Sequence, residues 1–357
     1  MQPPKALSGP PPLQSGWLRR VASSYAVRTL LQALLTVWAV VTFTFFLIRL
    51  MPGNPIDVYV GFLMNQSNVT YQEALQQAAS QFSFNPDANV FQQYLGYLGD
   101  LVRGDLGRSI TSTGTQVIDQ IARFLPWTLF CVGMGLLISF VIGMGLGMLT
   151  AYYRNSVLDT AVSFFAAVLG AVPDYIWGLL ILVIFGVQLG WFNIGALRGT
   201  YDPDLTPGFS PAFIWSVVEH AFLPVLVYVI GTLGSWTLNM RSSTISVLGE
   251  DYVNVARARG LSPGRVATAY VGRNAALPLF TLLAVNIGLV LGGSVIIEEL
   301  FVYKGIGSFL FFSISQRDYT SMQGVFLVIA ISVVVANILA DLLYSRLDPR
   351  VRVEGER

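Results

Sequence analysis

Charge is scarce in this sequence: Asp, Glu, Lys and Arg make up 11% of its 357 residues, against roughly 25% in soluble domains. Cysteine and histidine are scarcer still, with one of each, Cys131 and His220. One cysteine can form no intrachain disulfide. One histidine without neighbouring Cys or Asp makes a poor metal site. Both are read as packing residues. There is no G-x-x-x-x-G-K-[ST] phosphate loop, no His-Glu-x-x-His and no Gly-x-Ser-x-Gly, which excludes the familiar nucleotide, zinc-protease and serine-hydrolase sites. A net charge of +1 gives no hint of nucleic acid. No catalytic residue, cofactor or metal ion is expected.

What the sequence has in quantity is apolar surface, 54% of residues with a mean hydropathy of +0.62. Twenty uncharged residues, Thr29 to Ile48, lie between Arg28 and Arg49, enough at about 1.5 Å per residue to span the ~30 Å hydrocarbon core. Thirty more lie between Arg123 and Arg154, so that helix is tilted or overshoots the bilayer. Further spans are predicted from Val157 to about Leu189, from His220 to Arg241, from Asn274 to Ile297 and from Tyr319 to Ala340. On this six-span map, 14 of the 21 Lys and Arg fall on the side of both termini, which places those termini in the cytoplasm. Membrane lipid is the surrounding partner.

Residues 1–24 form a proline-rich tail without apolar periodicity, expected to be disordered. Residues 51–123 form an excursion on the far side. In it, Thr70 to Glu73 reads as a capping box. Asp87 can cap a helix whose stripe Val90, Phe91, Tyr94, Leu95, Leu98 and Leu101 packs on the membrane domain or lies in the interface. Gly143, Gly145 and Gly147 suit helix contact better than phosphate binding, because no strand precedes them. Pro173 predicts a kink, and Asp174 is the one carboxylate read as buried at membrane depth. It is either paired to a neighbouring helix or lines a pathway with Pro173 and Tyr175. Glu298 and Glu299 are placed in an outer loop with Phe301, Gly305, Gly307 and Asp318.

The most basic interior stretch runs from Leu248 to Pro278. Glu250 and Asp251 suit the first turn of a short helix, and Arg257 and Arg259 its last. Gly260 is placed to end that helix in the left-handed conformation, and Ser262-Pro263 to start a second. Ala256, Ala258 and Gly260 carry little bulk, so another surface can approach there. Taken by itself, the loop can equally serve only to fix topology through its arginines. The run Ala256-Arg257-Ala258-Arg259-Gly260-Leu261, followed by Arg273-Asn274-Ala275-Ala276-Leu277-Pro278, resembles the coupling loop of ABC-transporter permeases of the dipeptide/oligopeptide/nickel family. The Glu of the general Glu-Ala-Ala pattern is absent, since Asn254 and Val255 precede Ala256. The spacing from Gly260 to Pro278 is the longer one of the peptide branch. Met51-Pro52-Gly53-Asn54-Pro55, Arg103 to Gly107, His220 with Leu223-Pro224, and the segment from Glu298 to Tyr319 are similar to the same family.

The resemblance implies an all-α integral membrane protein of the type I importer-permease architecture. It implies a permease region at 25–123, a transmembrane domain at 124–346, a cytoplasmic tail at 347–357, and the bacterial inner membrane as its place. Asp251, Tyr252, Ala256 to Arg259, Gly260 and Leu261 would meet an ATPase. The implied partners are a second homologous permease, two ATP-binding cassette subunits and an extracytoplasmic substrate-binding protein. A self-sufficient secondary transporter or channel is the alternative, and it should show inverted repeats or several charges within its spans.

Overall fold

The computed structural model describes residues 25–50, 59–61, 63–65, 69–82, 89–112, 114–290 and 295–347. Its helices in chain order are α1 (Tyr25–Leu50), α2 (Tyr71–Phe82), α3 (Val90–Val102), α4 (Val117–Tyr152) and α5 (Val157–Ala171). Next come α6 (Asp174–Leu180), which runs on in π-helical turns over Ile181–Gln188, then α7 (Pro211–Leu248) and α8 (Asp251–Ala258). The series closes with α9 (Pro263–Arg265, with π-helical turns over Val266–Gly272), α10 (Arg273–Val290), α11 (Val295–Leu300), α12 (Ile306–Ser315) and α13 (Tyr319–Leu347). The protein is all-α, with one antiparallel bridge between Arg108 and Gln116 among the described residues. The tail 1–24, Met51 to Pro55, Asp87, Gly292 and Asp348 to Arg350 lie outside them.

Four helices, α1, α4, α7 and α13, are long and apolar enough to cross a membrane, and α5 with α6 makes a fifth when the bent pair counts as one. The predicted span Asn274 to Ile297 falls on α10 and the start of α11, with residues 291–294 between them not described. The 36 residues of α4 make a helix of about 54 Å, longer than a bilayer core, as its uncharged stretch implies.

Lipid tails are as apolar as leucine, so helices in a membrane gain most by bringing their backbones close. The contact between α4 and α7 is built this way. Small residues recur every fourth position on α4: Gly135, Ser139, Gly143 and Gly147. A Cβ placed on Gly135 or Gly143 would stand 2.5 Å from the Cβ of Tyr228 or Trp236, and one on Gly147 would stand 2.7 Å from that of Met240. The hydroxyls of Thr232 and Ser139 meet between them at 2.7 Å. Gly145 faces open space, so two of the three glycines read as a contact run serve as one. On another face of α7, Gly234 admits the α5 backbone at Ala166 and Gly170. α13 packs between α1 and α10. The other side of α1 leaves Leu30, Leu31, Leu34, Leu35 and Trp38 more than half exposed, the surface lipid covers.

In the excursion, Thr70 and Glu73 form the expected capping box, with the Thr70 N–H donating to Glu73 at 2.9 Å. α3 is capped by Asn89 and Gln92, two positions after Asp87. Of the α3 stripe, Tyr94 is buried on Phe45 and Phe46 of α1 and hydrogen-bonded to Thr42, whereas Val90, Phe91 and Leu95 stay exposed. Only part of that stripe packs on the membrane domain.

Filling the α4–α7 seam is predicted to be costly. Gly147→Leu should destabilise the detergent-purified protein by ~1–3 kcal/mol through overpacking, while Gly145→Leu should melt with the wild type. Equal melting of both variants would show that the seam tolerates bulk.

Candidate functional site

The loop between α7 and α10 is a folded unit. Glu250 sits at the N-cap position and Asp251 in the first turn of α8, with Arg257 in its last. Leu261 N–H donates to Ala256 O at 3.4 Å and Gly260 N–H to Arg257 O at 2.9 Å, with Gly260 at φ +75°. This is the Schellman ending, in which glycine takes the left-handed position without a Cβ penalty. Val253 and Ala256 face inward and pack on Val266 and Val271, with Leu261 and Tyr152 at the edge. Ala256 is therefore small for the loop's own packing, which corrects its place on an open docking face. Asp251, Tyr252, Arg257, Ala258, Arg259 and Gly260 are exposed.

Arg257, Arg259, Arg265 and Arg273 make no ion pair among the described residues. Arg241 is different: its Nε and Nη2 grip Asp159 at 2.6 and 2.8 Å, so it adds no free charge to the loop and instead ties the start of α5 to α7. The second helix begins at Pro263 as read, though Ser262 makes no side-chain cap. It continues without a break through π-helical turns into α10 at Arg273. The loop is shorter than the span Leu248 to Pro278, and Pro278 lies inside α10.

At Pro173 the chain does more than kink. α5 ends at Ala171, Val172 and Pro173 are extended, and α6 leaves at 97° to α5. The break sits against Gly231, whose added Cβ would stand 2.7 Å from Asp174 Cβ, and Gly231 lies midway along α7. Asp174 is half-buried, and its Oδ1 accepts the Tyr175 N–H at 2.8 Å. It makes no ion pair among the described residues. Irregular backbone at membrane depth is tolerated only inside protein or along a water-filled cavity.

Three carboxylates are more deeply buried than Asp174, which corrects its standing as the one buried acid. Asp159 holds Arg241. Asp318 caps α13 through Ser321 and accepts from Ser109 and Thr111 of the excursion. Glu298, expected in an outer loop, is 0% exposed in α11. Thr128 Oγ1 donates to it at 2.7 Å and Ser308 N–H at 2.9 Å. Burial pushes this carboxyl up from its ordinary 4.5 to about 7, against the opposing pull of those hydrogen bonds. Local signals existed for two of them: Ser156 stands three residues before Asp159, and Asp318 three before Ser321. For Glu298 the only signal was its setting between Ile296-Ile297 and Leu300-Phe301. His220 is buried, with Nδ1 2.7 Å from Ser216 O, the packing role read for it.

These features define a polytopic helical membrane protein that presents a preformed helix–turn unit with exposed arginines at one end of its longest helices and a broken helix at mid-depth. Residues 143–353 match the family described as the binding-protein-dependent transport system inner membrane component, and the chain belongs to that family. It is 34% identical to the di/tripeptide transport system permease of Pseudomonas aeruginosa over 92% of this chain and 98% of that one. It is 30% identical to the oligopeptide transport system permease of Bacillus subtilis, covering 92% and 99%. To the glutathione transport system permease of Escherichia coli it is 29% identical, again over 92% and 99%. It is a multi-pass inner-membrane transport component rather than an enzyme.

The elevated Glu298 carboxyl sets a pH dependence. A folded-state value above the unfolded one gives stability that is complete below about 4.5 and lost as pH rises through about 7. The loss should approach ~3 kcal/mol. Melting temperature should fall between about pH 5 and about pH 8, and Glu298→Gln should flatten that slope. An unchanged slope in the variant would assign it elsewhere.

Proposed function

We propose that this chain is one permease half of an ATP-driven importer of di- and oligopeptides or related small solutes. Its partners are a second, related permease, two ATP-binding cassette subunits and an extracytoplasmic binding protein. The observation that carries this reading is α8: a preformed, exposed helix, ended by a Schellman turn and backed by its own small core, whose Arg257 and the following Arg259 make no ion pair among the described residues. Such a helix suits a groove on an ATPase. On this reading the termini and α8 lie in the cytoplasm, the sixth span is α10, and the transmembrane domain runs over 124–346. ATP-driven closure of the ATPases moves α8, and the spans rock between inward- and outward-facing arrangements. Asp174, with Pro173 and Tyr175, lines the cavity between the two permeases. The names of the relatives support peptide-like cargo, and selection among such cargoes rests with the binding protein.

Two measurements bear on the coupling role. Purified alone in liposomes, the chain should bind no ATP and move no solute, whereas the full complex should import at the expense of ATP. Uptake by the isolated chain under a proton or sodium gradient would replace this reading with a secondary transporter. Gly260→Val should cost at least ~1 kcal/mol in the left-handed position and uncouple ATP hydrolysis from transport, while the variant still reaches the membrane. Normal coupling in Gly260→Val would remove α8 from the contact.

The pathway role of Asp174 has its own test. Asp174→Cys, in a Cys131→Ala background, should react with a water-soluble thiol reagent at a rate that changes with nucleotide state. Absence of labelling in every state would make Asp174 a packed residue.

A further inference from the structure

At the end of the bundle away from α8, the segment from Val295 to Ser308 returns the chain toward α12. Its construction is unusual. α11 closes with Tyr303 N–H donating to Glu298 O at 2.7 Å and Val302 N–H to Glu299 O at 3.1 Å. That is a Schellman pattern with a valine in the left-handed position, at φ +54°, an outlier for a β-branched side chain. A backbone state of this kind persists only where the surroundings over-determine it.

The surroundings are supplied by Glu298. α12 begins after Gly305, an N-cap residue with no side chain to offer. Glu298 takes over that duty from the preceding helix, accepting from the Gly307 and Ser308 N–H groups at N2 and N3. Thr128 of α4 completes the end, donating to Glu298 and accepting the Ile306 N–H at 2.7 Å. A carboxylate at a helix N-terminus also meets the positive end of its dipole. The fit leaves no slack, since a Cβ on Gly305 would collide with the Glu298 carboxylate and with Thr128 Oγ1, and one on Gly307 would stand 2.9 Å from Glu298 Oε2. Tyr303, fully buried, adds a hydrogen bond to Trp127 O.

The segment so fixed presses on α6. Leu300 and Phe301 lie against Gly178, where an added Cβ would stand 2.9 Å from Leu300 Cδ2. Ile297, Phe301 and Tyr303 share a buried cluster with Ile181 of α6 and Cys131 of α4. Gly178 is one helical turn beyond Asp174.

We propose that Glu298 is a positioning residue for transport: it locks residues 295–308 into a rigid wedge joined to α4, and the wedge holds the broken half-helix α6 and, with it, Asp174. The movement of α6 during transport is then the movement of one body made of the wedge, α4 and α6. The inference rests on the importer reading, and its test separates the two.

The test uses the full complex in nanodiscs with Cys131→Ala and spin labels at Lys304 and Val187, both exposed. The distance between the labels should be a single narrow value, the same without nucleotide and with ATP. Glu298→Ala should broaden it and lower ATP hydrolysis stimulated by the loaded binding protein by ~5–30-fold, the population factor for losing one or two kcal/mol of wedge stability. Glu298→Gln, which keeps one acceptor oxygen, should recover part of both. Gly305→Ala should be as damaging as Glu298→Ala in the wild type and add little to it in the double variant, because the two act on one contact. A label distance that changes with nucleotide, one indifferent to Glu298→Ala, or additive losses in the double variant would each overturn the wedge. A wild-type complex whose ATP hydrolysis ignores its binding protein would instead sink the importer reading, whatever the labels report.

Discussion

The structure depends on how closely α4 and α7 approach. In a hydrocarbon surrounding there is no gain in merely collecting apolar side chains, so the pair is held by backbone proximity that larger residues would forbid. Gly135, Gly143 and Gly147 supply the space, with Trp236 and Met240 lying across it. Everything else is referred to this pair. α5 docks on Gly234 and is fixed by the Asp159–Arg241 bridge, α6 starts against Gly231, and the wedge hangs from Thr128. The Asp159–Arg241 and Glu298–Thr128 ties lie toward the two ends of the seam, where each carboxylate has its partners in reach. That is the condition under which a buried charge is tolerable.

Much of this arrangement could be read before any coordinates. The four-residue glycine spacing on α4, the capping box at Thr70, the left-handed ending at Gly260 and the buried His220 are local features, specified by residues within a turn or two of each other. The carboxylate ties were not legible because their partners are remote: Glu298 meets Thr128 across 170 positions, Arg241 meets Asp159 across 82, and Asp318 meets Ser109 across 209. A lone acid beside an apolar run looks like a loop residue until its donors are placed. The break at Pro173 shows the other limit. Proline removes a hydrogen bond and stops α5, but the 97° turn is set by Gly231 and by the wedge against Gly178, and neither neighbour is visible from Val172 to Tyr175.

The loop between α7 and α10 illustrates why a motif and its surface are different things. Ala256 and Gly260 belong to one sequence run, yet Ala256 is sealed on the inner face of α8 against Val266 and Val271 while Gly260 is exposed. A small residue in such a run can serve the inside of the unit as readily as its outside. The exposed arginines face a different physical problem. With no ion pair among the described residues they keep their hydration, and they can surrender it to an acidic groove at little internal cost, because no existing ion pair has to be broken.

The same geometry limits how a displacement of α8 can travel. α7 runs unbroken for 38 residues, and its seam with α4 leaves no room for one helix to slide past the other without Cβ atoms colliding. A push at the Leu248 end therefore tilts the two helices together. Relative motion has to be taken up where helical hydrogen bonding is already interrupted, and among the described residues of α5 and α6 that place is Val172-Pro173. The wedge grips α4 and α6 together beyond this break, while α5 on its other side is held to α7 by the backbone approach at Gly234 and by the Asp159–Arg241 bridge. With α5 tied to α7 on one side and α6 tied to α4 through the wedge on the other, the Val172–Pro173 break beside Asp174 is the place where the angle between them is least constrained by helical hydrogen bonds.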